Sequence, residues 1–148
     1  MSEMKIVVGV DGSAPSTRAL EWCAGHAEAL DAEVVAVFAL DMPVYAATGF
    51  GAAPIPMPMP VPSEEERAEV HRTIEEDWCA PLTKAATPFR VEVRDGPAAA
   101  AIMAVAEEVG ADLVVTGRRG RGGFAELLLG STSHQLAHHV NRPLVIIP

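Results

Sequence analysis

Five of the chain's twelve glycines fall within fourteen positions, at Gly117, Gly120, Gly122, Gly123 and Gly130. Glycine has no Cβ, so such a run lets backbone N–H groups turn inward and approach an anion closely. Ser131, Thr132 and Ser133 follow at a predicted helix start, where unpaired N–H groups and the helix dipole favour phosphate. Arg118, Arg119 and Arg121 interleave with the glycines and offer guanidinium groups for bidentate contacts. The chemistry implied is the binding of an anion. A flexible loop before a Ser-capped helix has the same composition, and composition alone leaves both open.

Other motifs built on the same residue types fail. A P-loop needs G-K-[ST], and no lysine follows Lys84. Gly120-x-Gly122-x-x-Ala125 matches a dinucleotide fingerprint in letters. It begins four residues past the preceding strand, and no Asp or Glu follows Glu126 to hold a ribose. His134 and His138 are spaced for one helix face, but position 135 is Gln135 and lacks the Glu of a metalloprotease motif. With His139 they read as a solvated face, and no metal is expected. Gly117-Arg-Arg-Gly-Arg-Gly-Gly is a single RGG-like copy beside one aromatic, Phe124, and does not carry RNA binding.

The elements that must position these groups follow from hydrophobic patterning. Lys5 to Val10 is an apolar, β-branched run ending at Asp11-Gly12-Ser13, as in a strand buried on both faces of a parallel sheet. Pro15 sits where a helix begins, with Ser13 as its N-cap. Glu33 to Leu40 is a second strand. Met42 to Pro62 carries no charge over 21 positions but holds six prolines, which excludes a membrane helix and predicts an extended, exposed loop. Ser63 and Glu66 form a capping-box pattern, and Val70, Ile74, Trp78 and Leu82 lie on one face of the helix that follows. Phe89 to Arg94 alternates as an edge strand with one face partly wet. Gly96-Pro97 leads into an Ala-rich helix stopped at Gly110, then come a strand over Asp112 to Thr116, a Gly-rich loop to about Gly123, a helix to about Val140, and a last strand from Pro143 to Ile147. Alternating strands and helices predict an α/β sandwich with right-handed crossovers. Its ligands bind at the carboxyl ends of the strands, where strand order reverses.

Composition narrows the partners. With 148 residues and 49% hydrophobic content, one domain is expected. A net charge of −9 argues against a duplex-DNA coat. Glu64 to Asp77 holds seven carboxylates against Arg67 and Arg72, whereas Gly117 to Arg142 holds four arginines against Glu126. A basic island in an acidic chain points to a small local anion. Cys23 and Cys79 are too few and too far apart for a disulfide framework. With no apparent signal peptide, a cytoplasmic location is expected.

Gly117-x2-Gly120-x9-Gly130-Ser131 resembles the nucleotide-binding signature of the universal stress protein family. Val8-Gly9-Val10-Asp11-Gly12-Ser13 and Asn141-Arg142-Pro143-Leu144-Val145-Ile146 extend the resemblance over essentially the whole chain. It implies a single-domain, three-layer Rossmann-like sandwich with a five-stranded parallel sheet of order 3-2-1-4-5, and ATP as ligand, with Mg2+ held through the phosphates. By the resemblance, Val10, Asp11, Gly12 and Ser13 lie at the nucleoside end, Ser13 serving as cap or ligand. The backbone around Ala39 faces the adenine edge, and Thr116 and Gly117 line the site. Gly117 and Gly120 let the loop wrap the phosphates, to which Gly130, Ser131, Thr132 and Ser133 donate. Valine at Gly117 or Gly120 is then expected to abolish binding and leave the fold intact. Arg118 and Arg119 depart from the small polar residue and His or Arg usual there. They either strengthen phosphate binding or point outward.

A homodimer through Leu144 to Ile147 is implied, with no nucleic-acid or membrane partner. The implied function is a nucleotide-dependent switch in stress response. The alternatives are a slow ATPase or phosphotransferase, or the same fold with AMP, cyclic AMP or no nucleotide.

Overall fold

The computed structural model describes residues 3–41, 61–119 and 129–148. Five strands form one parallel sheet: β1 (Met4–Gly9), β2 (Ala32–Leu40), β3 (Phe89–Asp95), β4 (Leu113–Gly117) and β5 (Leu144–Ile147). Their order is β3-β2-β1-β4-β5, as expected, so the chain reverses direction across the sheet between β1 and β4. Val7 registers with Val35 on one side and Val114 on the other.

Strict alternation along these strands feeds two cores. Ile6, Val8, Val34, Ala36 and Val115 point to the face covered by α1 (Ala14–Leu30) and by a helical unit at residues 64–84. Val7, Val35, Val37 and Val114 point to the opposite face, covered by α4 (Ala98–Val109) and α5 (Ser131–His139). A sheet covered on both faces has no use for polar residues at its centre, which is why the central strands read as continuous apolar runs. The edge strand β3 alternates as expected: Val91 is buried and Arg90 exposed. Arg94 makes a bidentate ion pair from β3 to Glu108 of α4, at 3.0 and 2.7 Å.

The unit after Ser63 departs from the single regular helix that its apolar spacing suggests. Its capping box forms as expected, and α2 runs Glu64–Thr73. A π-helical turn follows at Ile74–Trp78, then a short α3 at Ala80–Lys84. The cause is Pro81, which has no N–H to give the carbonyl four residues back and whose ring crowds it. The chain widens just before it, so that the Cys79 N–H reaches Ile74 O at 2.9 Å. The expected face survives the change: Ile74 and Leu82 are buried, with Val70 and Trp78 packed against the same core.

Gly96 (φ +101°) and Gly110 (φ +66°) sit in left-handed conformations at the two ends of α4, matching their expected roles as turn and stop. The Pro-rich stretch, apart from Val61 and Pro62, lies outside the described residues, as do Gly120, Arg121, Gly122 and Gly123. Among the described residues no helix is long and apolar enough to cross a membrane.

Cys23 and Cys79 are both free and fully buried, and burial pushes each thiol up to about 12. Both should resist thiol reagents in the native protein and react only as the chain unfolds, which a pulse-labelling series in denaturant will show. Because an unfolded thiol ionises near pH 9 and these do not, stability falls as pH rises from about 9 towards 12. Equal stability at pH 8 and pH 10.5 would contradict this.

Candidate functional site

The carboxyl ends of β1 and β4 lie side by side, and the two loops that leave them meet. After β1, Val10 extends the ladder by donating its N–H to Val37 O at 2.9 Å. The chain then turns through Gly12 at φ +79°. Ser13 caps α1, and its hydroxyl accepts the Ser16 N–H at 3.3 Å. The same hydroxyl donates to Asp11 Oδ1, which also accepts the Ser13 N–H at 2.9 Å. The Asp11 N–H in turn reaches Ser16 Oγ at 3.2 Å. Asp11, Ser13 and Ser16 thus form a closed hydrogen-bonded ring that orients the half-buried Asp11. The geometry gives Ser13 the cap role, with its proton and an acceptor lone pair both in use.

Ser16 carries no glycine-loop or motif signal and is not among the residues expected at the site. It is 4% exposed, and its position three residues after the cap is the one feature that marks it. Ser13→Ala removes the cap and the hydroxyl bond to Asp11 together. A loss of about 1 kcal/mol is expected in urea unfolding. A loss below a few tenths would show that the ring contributes nothing.

At the end of β4, Thr116 is buried and Gly117 half-buried. Gly117 lies directly on α1: a Cβ there would be 2.8 Å from Pro15 Cβ and 2.9 Å from the Pro15 carbonyl carbon. Its lack of a side chain therefore serves the joining of the two loops, and a valine would not leave the fold intact as the sequence alone suggested. Arg118 follows, with its side chain exposed. Arg119 is half-buried, with Nε enclosed and without a hydrogen-bond partner.

Helix α5 starts on Gly130, which brings no side chain to cap it. This sets it apart from α1 and α2, whose first amides are capped by Ser13 and Ser63. Among the described residues no side chain caps the N–H groups at the start of α5, at Ser131 and Thr132, and uncapped amides at a helix start suit an anionic acceptor. Ser131 is exposed, Thr132 half-buried and Ser133 buried. Ala39 is half-buried near the carboxyl end of β2, two residues beyond the Val37 carbonyl that pairs with Val10. Gly120 lies outside the described residues.

One part of the basic island is reassigned. Arg142 precedes β5, at the amino ends of the strands, where it donates to the Ala111 carbonyl and pairs with Glu107 at 3.0 Å. It ties α4, β4 and β5 together and stands apart from the carboxyl ends of β1 and β4. His134, His138 and His139 are exposed on α5, and no group of three or more potential metal ligands occurs among the described residues. Two shallow clefts, of about 370 and 400 Å³, lie elsewhere, one lined by Arg67, His71 and Val91 and the other by Glu21, Pro81 and Lys84. Neither includes a residue of this site.

The family model of the universal stress proteins matches residues 4–148. A universal stress protein of Methanocaldococcus jannaschii is 26% identical over 97% of this chain and 81% of its own length. One of Mycolicibacterium smegmatis is 32% identical over 99% of this chain, which spans 48% of that protein. Among solved structures, UspA of Lactobacillus plantarum aligns with a TM-score of 0.77 at 22% identity, over 100% of this chain and 99% of its own. A universal stress protein in complex with cAMP aligns at 0.70 and 24% identity, over 99% and 98%. One from Archaeoglobus fulgidus in complex with dAMP aligns at 0.68 and 22%, over the whole of both chains.

Proposed function

Because the chain belongs to the universal stress protein family, we propose that it binds an adenine nucleotide, ATP, and acts as a nucleotide-dependent regulatory switch. The observation that carries this is the uncapped start of α5, set beside the end of β4 and the Asp11–Ser13 turn where strand order reverses. In this reading Asp11 takes the nucleoside end, and the backbone at Ala39 faces the adenine edge. Val10, Gly12, Thr116 and Gly117 form the floor. The amides of Ser131 and Thr132 meet the phosphates, with Gly120 and the guanidinium groups of Arg118 and Arg119 around them. Mg2+ would travel with the phosphates.

A second reading, that AMP or cyclic AMP is the ligand, is favoured by the cAMP and dAMP complexes of the two fold relatives. The arginine pair favours the more highly charged ligand. Hydrolysis would be slow, since the carboxylate proposed for the site, Asp11, lies at the nucleoside end and is held by Ser13.

We further propose a homodimer through β5. Its four apolar residues, Leu144 to Ile147, are each half-buried at the sheet edge, and two-fold pairing would cover that edge. A cytoplasmic location accords with two unpaired cysteines.

The test is to denature protein purified from cells, identify any released nucleotide by mass spectrometry, and titrate ATP, AMP and cyclic AMP with magnesium present. Saturable ATP binding at micromolar protein is expected. Its absence overturns the ATP reading, and the absence of all three overturns nucleotide binding.

A further inference from the structure

We propose that Ser133 is a positioning residue: its hydroxyl latches the carbonyl of Arg118 and closes the stem between β4 and α5, instead of donating to a phosphate. The consequence for ligand affinity rests on the nucleotide reading above; the latch itself rests on geometry. Ser133 is 1% exposed. Its Oγ lies 2.7 Å from Arg118 O and 3.2 Å from Gly130 O, so its one proton is shared between two carbonyls inside the protein. A hydroxyl has a single proton, and none is left for an outside anion.

Arg118 is the hub of this arrangement. Its carbonyl also accepts the Gly130 N–H at 2.7 Å, and its own N–H donates to Ile147 O of β5 at 2.6 Å. Both backbone groups of Arg118 are therefore committed, one to β5 and the other to the start of α5. The guanidinium leaves from this pinned backbone on the exposed side. The same two bonds set the separation between Gly117 and the first amides of α5, the groups that must face one ligand together. Ser133 contributes the side-chain half of that closure. Without its hydroxyl, the Arg118 carbonyl keeps only the Gly130 N–H, and the stem opens more often.

Amide exchange at Gly130 in nucleotide-free protein reads the latch directly. Ser133→Ala should speed it by about 2- to 10-fold, the value of one net hydrogen bond. ATP affinity should fall by a comparable factor, because the bound form must first reclose the stem. Ser133→Thr keeps the hydroxyl and should hold both near wild type. A phosphate donor behaves differently: Ser133→Ala would weaken ATP while Gly130 exchanged at the wild-type rate. That result overturns the proposal. If the wild-type chain bound no nucleotide, the functional reading would fail, and Gly130 exchange would still decide the latch.

Discussion

Gly117→Ala lowers the free energy of unfolding by about 2–3 kcal/mol, whereas Gly9→Ala costs about 1 kcal/mol or less. Both glycines end a central strand beside the proposed site, and both leave no room for a methyl group. What separates them is the atom that must yield. A Cβ on Gly9 would lie 2.5 Å from Ile102 Cδ1, the tip of a side chain that can change rotamer. A Cβ on Gly117 would lie 2.9 Å from the Pro15 carbonyl carbon and 3.1 Å from its oxygen. That backbone belongs to the first turn of α1, tied down by the Ser13 cap and by the Thr17 N–H donating to Ser13 O at 3.0 Å. It cannot move without disturbing the Asp11 ring. Urea unfolding of the two variants checks this through the midpoint, with the slope unchanged. Equal losses at the two positions would mean that the β4–α1 contact yields as easily as a side chain. The substitution therefore tests packing, and a fall in nucleotide affinity in this variant would say little about loop–phosphate contacts.

That distinction explains which features were legible in the sequence. The strands could be read because a parallel sheet buries both faces, so that runs such as Ile6–Val8 and Val34–Val37 carry their environment in their own composition. The caps at Ser13 and Ser63 could be read because a cap and its partner lie within three residues. The Gly117–Pro15 contact could not: it joins residues about a hundred positions apart, and a glycine chosen for packing has the same letter as one chosen for a turn. The partner of Ser133 could not be read for a related reason. A hydroxyl near a helix start signals hydrogen bonding but not its direction, and the acceptor here is the carbonyl of Arg118, across the loop. Arg142 shows the limit of summing charge along the chain. It counts towards the basic island in sequence, yet the direction of β5 carries it to the opposite end of the sheet. The π turn at Ile74–Trp78 required the conflict between Pro81 and an otherwise regular apolar face to be resolved in three dimensions.

Leu136→Ala should cost about 3 kcal/mol and, beyond that, release α5 from the sheet. The size follows from complete burial: Leu136 is 0% exposed and belongs to the core formed with Val7, Val35, Ile102, Val105 and Val114. The local consequence follows from how little else holds the helix. Of the nine residues of α5, only Ser133 and Leu136 are buried, and Ser133 reaches the Arg118 carbonyl, not the apolar core. Helix α1 is held differently, since Ser16, Ala19, Leu20, Cys23 and Ala27 are all buried along it. Leu20→Ala is therefore the control: similar in global cost, but with four buried neighbours still docking the helix. Hydrogen exchange separates the two effects. In Leu20→Ala, the slowest amides of α5 and β1 should accelerate together, as global unfolding becomes easier. In Leu136→Ala, the α5 amides should accelerate further than those of β1, because the helix can open without the sheet. Since α5 carries the uncapped amides proposed to meet the phosphates, ATP affinity should fall in Leu136→Ala and hold in Leu20→Ala wherever both remain folded. If α5 and β1 kept pace in Leu136→Ala, the helix would be docked by more than one side chain. The proposed site would then stand on a firmer element than its burial pattern indicates.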